Sequence, residues 1–294
     1  MSDITTGSTV PRRQLGRYLR ELRNKQRLTV RAAAVKLEWS EAKIWRIETG
    51  QTSLRSLDVE AVCRVYGAPA DLTEALMGLA KETKAKGWWQ AYGDVVPEWF
   101  DVYIGLEEAA SIISTYESEL VPGLLQSEDY ARTVIKAGHH EDTDDEIDRR
   151  VRLRMERQAL VRRVTSPPQL RVMLNEGILR RPVGSSAVMV GQLNQLAETA
   201  ELPNVSLRVV PFSAGMHQGL LTGPFVVLRF PVNADGRDSE PPTLYADSIT
   251  GALYLDKPQE IERYDSAFDS IWNTSLDETR SRQFIHQAAR ELQE

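Results

Sequence analysis

Along the first third of the chain, apolar residues recur at helical spacing. Leu15, Leu19 and Leu22 fall four and three apart within Arg13–Lys25, which predicts a helix with one buried stripe. Thr29 is a favourable N-cap for a second helix over Val30–Leu37, where Ala32, Ala33 and Ala34 let a neighbour approach closely. A three-residue turn, Glu38–Trp39–Ser40, leads to a third helix over Glu41–Thr49, capped by Ser40 and stopped by Gly50. In that helix Ile44 and Ile47 turn inward, leaving Glu41, Ala42, Trp45 and Arg46 for the outer surface. Ser56 opens a fourth helix whose Leu57, Val59, Val62, Cys63 and Tyr66 are expected in the core. Gly87, Trp88 and Trp89, then Gly93 and Pro97, mark the exit from this unit.

Beyond it, Tyr116–Leu120, Ser127–Ala137 and Thr143–Val164 read as helical, the last running from acidic to basic as the helix dipole favours. After Pro167–Pro168 the texture changes. Gln169–Leu174, Val205–Phe212, Phe225–Phe230, Thr243–Ala246 and Ala252–Leu255 are short Val-, Leu-, Phe- and Tyr-rich runs bounded by turn residues, as in strands. A helix is expected over Ala187–Glu201, and others over Pro258–Phe268 and from Leu276 onward. Without regular alternation of strand and helix, an α+β arrangement is predicted rather than a doubly wound sheet. The fold class is therefore a mainly α N-terminal domain plus a larger α+β C-terminal domain. Its expected parts are a disordered stretch over 1–11, a helical domain over 12–86, a linker over 87–97 and the α+β domain over 98–294. A length of 294 residues suits two folded units.

Charge sharpens the division. The formal net charge is −6, but residues 1–86 carry 16 Lys and Arg against 10 Asp and Glu, leaving 20 against 32 for the rest. From Arg12 to Arg55 the tally is 12 basic to 4 acidic. A basic module joined to an acidic remainder suits a nucleic-acid-binding unit. The apolar fraction, 41%, is that of a globular protein. No apolar run approaches a membrane span, and MSDITTGSTVPRRQLG has no secretory h-region, so a cytoplasmic protein without membrane contact is expected. The single cysteine, Cys63, fits a reducing compartment and reads as a small buried hydrophobe.

Helix, tight turn, helix is the arrangement that offers a second helix to the major groove. Arg46 is the expected base reader, because a guanidinium can bond guanine bidentately. Arg31, Ser40, Lys43, Ser53 and Arg55 are expected on phosphates. A plain four-helix bundle would share the apolar pattern, but not the short turn, the Gly50 stop and the concentrated charge together. The segment LTVRAAAVKLEWSEAKIWRIETGQ resembles the Xre/Cro-type helix-turn-helix, through Leu28–Thr29, Ala34, Ser40, Ile44 and the run Arg46-Ile47-Glu48-Thr49-Gly50. The resemblance implies that Glu41, Ala42 and Arg46 face bases. It sets Val30, Ser40 and Lys43 near phosphates, and makes Glu48 a structural partner of a basic residue in the first helix. Thr29 joins the expected DNA-binding set. Val30 stands where that family often has glutamine, and Glu41 brings a negative charge to the groove, where it could accept from cytosine N4.

The segments YESELVPGLLQSEDYAR (116–132), LNEGILRRPVG (174–184), NVSLRVVPFSAGMHQG (204–219), PFVVLRFP (224–231) and LYLDKPQEIERYDSAFD (253–269) resemble the uncharacterised C-terminal domain of antitoxin-like Xre regulators from actinomycetes. Genes of that family often adjoin one for a very small partner protein. The implied function is a sequence-specific transcriptional regulator. A homodimer would bind a two-fold double-stranded DNA operator, under control of a partner or an unknown small-molecule effector. The alternative is an antitoxin-like module that neutralises the small partner and binds DNA to regulate itself.

Other residues weigh less. His217, in the Gly-rich turn 213–219, could sense pH or hold a ligand, but reads more simply as an exposed turn histidine. His139–His140 lacks a third metal ligand. Ser213, His217 and Asp247 could be imagined as a hydrolase triad, yet no Gly-x-Ser-x-Gly elbow exposes a serine. Arg180–Arg181 could pair an anion, and Trp88–Trp89 could be a contact between domains, though solvated charge and packing serve as well. Neither an enzyme, a cofactor nor a metal is expected.

Overall fold

The computed structural model describes residues 9–83, 87–232, 238–248 and 251–293. They form two compact units, one of residues up to 93 with 97–109, the other of 94–96 with 110 onward.

The N-terminal unit is helical: α1 (Thr9–Lys25), α2 (Val30–Leu37), α3 (Glu41–Glu48), α4 (Ser56–Val65), α5 (Ala70–Glu82), a 3₁₀ turn at Trp88–Tyr92 and α6 (Glu98–Ala109). Its core gathers Leu15, Leu19 and Leu22 of α1, Ala33, Ile47, Leu54, and Val59, Val62, Cys63 and Tyr66 of α4, with Leu76 and Ala80 of α5. Leu57 departs from expectation. It is 72% exposed, because it sits at the second position of α4 and points away from the face that carries Val59, Val62 and Cys63.

Two boundaries also move. Residues 9–11, expected to be disordered, form the first turn of α1, and Thr9 is fully buried; residues 1–8 lie outside the described residues. α6, expected to open the C-terminal domain, belongs to the N-terminal unit. A Cβ at Gly105 would meet the Thr9 hydroxyl at 1.9 Å, so α1 and α6 touch where only glycine fits. Asp101 joins them further, accepting from Arg12 Nη2 at 3.3 Å and from Trp89 Nε1 at 2.7 Å. Trp88 and Trp89 therefore belong to this unit, Trp89 as one of its buried aromatics.

The C-terminal unit is α+β. Its strands are β1 (Ile112–Glu117), β2 (Gln169–Asn175), β3 (Val205–Val210), β4 (Phe225–Arg229), β5 (Thr243–Ser248) and β6 (Gly251–Leu255), ordered β3-β2-β1-β4-β5-β6. β1, β2 and β3 are parallel; β4, β5 and β6 continue antiparallel. The first crossover carries α7 (Glu128–Gly138), α8 (Asp144–Arg157) and α9 (Ala159–Arg162). The second carries α10 (Glu176–Arg180) and α11 (Ser186–Thr199), and a short α12 (Gly219–Thr222) lies between β3 and β4.

β1 corrects the helix expected at Tyr116–Leu120. Tyr116 is paired with Met173 on one side and Phe225 on the other. The run Ile-Ile-Ser-Thr-Tyr is β-branched or aromatic at all but Ser114, and 113–116 are all buried, as suits a central strand covered on both faces. With β1 in place the parallel half does alternate strand and helix; the sheet as a whole is mixed, and the α+β class holds. The strand expected to reach Phe212 ends at Val210, where Pro211 begins a 3₁₀ turn. The helix expected over 143–164 breaks at Gln158 between α8 and α9.

Tyr116, Met173, Val210, Phe225, Val227 and Leu244 pack one face of the sheet against Ile261, Phe268 and Ile271 of α13 (Pro258–Thr274). The β3 edge is covered at the start of α14 (Glu278–Glu291): Leu276 N donates to Val209 O at 2.8 Å, and Val209 N to Ser281 Oγ at 2.9 Å. Among the described residues no helix is long and apolar enough to cross a membrane.

Candidate nucleic-acid interface

The α2–turn–α3 hairpin is built from local hydrogen bonds. Thr29 Oγ1 accepts from Ala32 N at 3.1 Å, and Ser40 Oγ from Lys43 N at 3.1 Å, so both helices begin with the caps their sequences predict. Glu38 ends α2 in the left-handed region, φ 54°, with its N–H turned back on Ala34 and Val35. α3 stops at Glu48. Thr49 caps it, and Gly50 follows at φ +74°, where a Cβ would also strike Arg13 Cγ at 2.5 Å.

A buried ion pair fixes α3 in place. Arg23 Nε and Nη2 donate to Glu48 Oε1 and Oε2 at 2.6 and 2.7 Å, and Nη1 donates to Leu28 O at 2.8 Å. One guanidinium thus joins the end of α1, the entry to α2 and the end of α3. The bond to Glu48 raises the Arg23 pKa further. Nearby, burial and the Glu48 charge push the Tyr66 hydroxyl up to about 12. This is the partnership with the first helix that the resemblance implied for Glu48.

Ile44, Ile47 and Glu48 are buried. At about 100° per residue, the direction opposite them runs close to Ala42 and within about 30° of Arg46. Trp45 lies about 70° away, and Lys43 and Glu41 stand near the flanks. Glu41, Ala42, Trp45 and Arg46 are all exposed. Lys43 is half-buried; its Nζ lies 3.5 Å over the ring of Trp39, a stack within the turn that sequence reading missed. At the start of α2, Thr29 and Arg31 are exposed and Val30 is half-buried. Ser53 and Arg55 lie on the segment between α3 and α4, both exposed, with Arg55 Nε held 3.1 Å from Asp58 Oδ2. The cap hydroxyl of Ser40 also faces solvent.

The charge tally over 12–55 overstates the free positive surface. Arg13 and Arg23 are buried, and Arg12 pairs with Asp101. Lys25, Arg27, Arg31, Lys36 and Arg46 are exposed, the last three on α2 and α3.

Elsewhere, His217 is buried rather than exposed. Its ring packs edge-on against Tyr116, its Nδ1 accepts from Gly219 N at 3.1 Å, and desolvation lowers its pKa. Ser213 and Asp247 are exposed. Arg180 pairs with Glu176 and Glu291, and Arg181 with Glu119. His139 Nδ1 lies 3.2 Å from Ile135 O, on its own helix.

Fold and hairpin together define a helix-turn-helix protein of the DNA-binding regulator class, with a mixed-sheet C-terminal unit. A family model described as a helix-turn-helix domain matches residues 14–76. A second, the domain of unknown function DUF5753, matches residues 100–287, more than half of the chain, and the chain belongs to that family. That match begins inside α6, although α6 packs within the N-terminal unit. Neither the curated proteins nor the solved structures compared with the chain give a match.

Proposed function

We propose that the chain is a sequence-specific transcriptional regulator of the Xre/Cro type, whose α3 reads an operator in the major groove. The observation that carries this is the division of α3: Ile44, Ile47 and Glu48 anchor it, while Ala42 and Arg46 are exposed, as are Arg31 and Lys36 of α2. Arg46, Ala42 and Glu41 are assigned to bases. Thr29, Val30, Arg31, Ser40, Lys43, Ser53 and Arg55 are assigned to the backbone or its margins. A homodimer on a two-fold site supplies the affinity that one small module lacks. The reading is of a cytoplasmic protein and includes no catalytic residue, cofactor or metal.

Selection of bound sequences from a random duplex pool tests it. Arg46→Ala should cost about 1–3 kcal/mol and relax preference at one base pair. Lys43→Ala should lower the salt slope of binding by about one unit, as expected for a lost phosphate contact. A chain with no salt-sensitive association with any duplex would sink the assignment.

A second reading is favoured by one feature of the C-terminal unit. Phe212, Met216, Leu220 and Leu221 are large apolar side chains exposed within ten residues of one another. They suit an antitoxin-like module that holds a small partner protein of the kind the family resemblance implies. Leu220→Ser with Leu221→Ser should then abolish co-purification of that partner and leave operator binding intact. Unchanged co-purification would count against it.

A further inference from the structure

Two tryptophans near α3 have opposite surroundings. Trp39 packs against the core of the N-terminal unit, and the Lys43 ammonium covers its ring. Trp45 is 54% exposed, and among the described residues no ring or cation lies over it. α3 does not need Trp45 for anchoring, since Ile44 and Ile47 already fill the inward positions. A lone exposed apolar side chain is ordinary on a protein surface; what singles out Trp45 is its place on the exposed side of α3, one residue before Arg46 and on the other side of Ala42 from it.

We infer that Trp45 reads sequence itself, by packing against the 5-methyl group of a thymine beside the base that Arg46 contacts; this rests on the DNA-binding reading above. Cations and DNA phosphates define the surroundings, so the occupant must offer an apolar group within an anionic surface. The thymine methyl is the apolar group of the major groove. Ala42 lies between Trp45 and Arg46 on the outward face, and its short side chain lets a base edge come close enough for both to reach it. The open positive charge around α2 and α3 argues against a second copy of this equally basic face as the cover.

The test uses the full chain and the duplex it selects, with each thymine replaced singly by deoxyuridine, which removes only the methyl. At one position the wild-type chain should bind about fourfold more weakly, the size of one buried methyl group. Trp45→Ala should show no thymine–uracil difference there, and Trp45→Phe should keep part of it. Because Trp45 is outside the core, thermal unfolding of both variants should match the wild type.

The inference is overturned if no thymine is sensitive, if Trp45→Ala keeps the same ratio, or if Trp45→Ala changes only the oligomeric state. Failure of the broader reading looks different. The wild-type chain would then bind no duplex in a salt-sensitive way, and Arg46→Ala would change nothing.

Discussion

Glu48 and Glu117 are carboxylates drawn out of water in different units, and their fates differ. Glu48, in the N-terminal unit, is met by both forks of Arg23 and serves as a tie between helices. Glu117, at the end of the central strand, accepts from the Thr115 hydroxyl at 3.2 Å, and among the described residues no cation offsets its loss of solvent. Desolvation, with the nearby Asp247 charge, pushes its carboxyl up to about 8. A paired buried charge holds architecture at any ordinary pH. One without a countercharge makes the stability of its surroundings depend on protons.

The largest effect should come from breaking the pair. Arg23→Ala leaves Glu48 buried without its countercharge and orphans Leu28 O, and should cost about 3–5 kcal/mol in urea unfolding of the full chain. Replacing both partners, Arg23→Leu with Glu48→Met, should recover at least half of that loss, because an apolar pair of similar volume carries no desolvation penalty. A single substitution costing under about 1 kcal/mol would reduce the pair to the rank of a surface salt bridge and remove the contrast.

The same contrast explains what could be read in advance. The caps at Thr29 and Ser40, the stop at Gly50 and the Leu15–Leu19–Leu22 stripe are signals that span three or four residues, so they survive without knowledge of the fold. Glu48 could be assigned to a basic residue of α1, but Arg17, Arg20 and Arg23 all lay there, and only packing selects Arg23. Glu117 was out of reach because its strand was misread. The partners that make 112–117 a strand lie at 169–174 and 225–229, more than fifty residues away. α6 failed for the same reason: the Arg12–Asp101 link spans 89 residues. The Trp39–Lys43 stack is local, yet it depends on rotamers that spacing does not specify.

Glu117 gives the intermediate effect. Its ordinary value is 4.5, so between about pH 4.5 and 8 the folded chain keeps a proton that the unfolded chain has released. Stability must therefore fall as pH rises through that window, at no more than about 1.4 kcal/mol per unit. The side chain retains some solvent contact, so about 1–2 kcal/mol in total is expected. Glu117→Gln should match the wild type at pH 5 and exceed it by that amount at pH 8.5. Taking the difference between the two proteins cancels the opposite trend of His217, whose lowered pKa costs stability as pH falls. Equal urea midpoints at both pH values would show that Glu117 is solvated like any surface acid.

The smallest effect isolates a third glutamate whose backbone, not its charge, matters. Glu38 is exposed, and its φ of 54° places a β-carbon where L-residues are strained by about 1–2 kcal/mol. Glycine removes that strain but adds about 0.5–1 kcal/mol of chain entropy to the unfolded state. Glu38→Gly should therefore stabilise the α2–α3 turn by only about 0.5 kcal/mol, seen as slower hydrogen exchange of the Trp39 amide bonded to Ala34 O. Faster exchange would mean that the glutamate side chain supports the turn through solvent or neighbours. The ordering of the three acids by burial and pairing would then fail at its exposed end, where the backbone alone is held responsible.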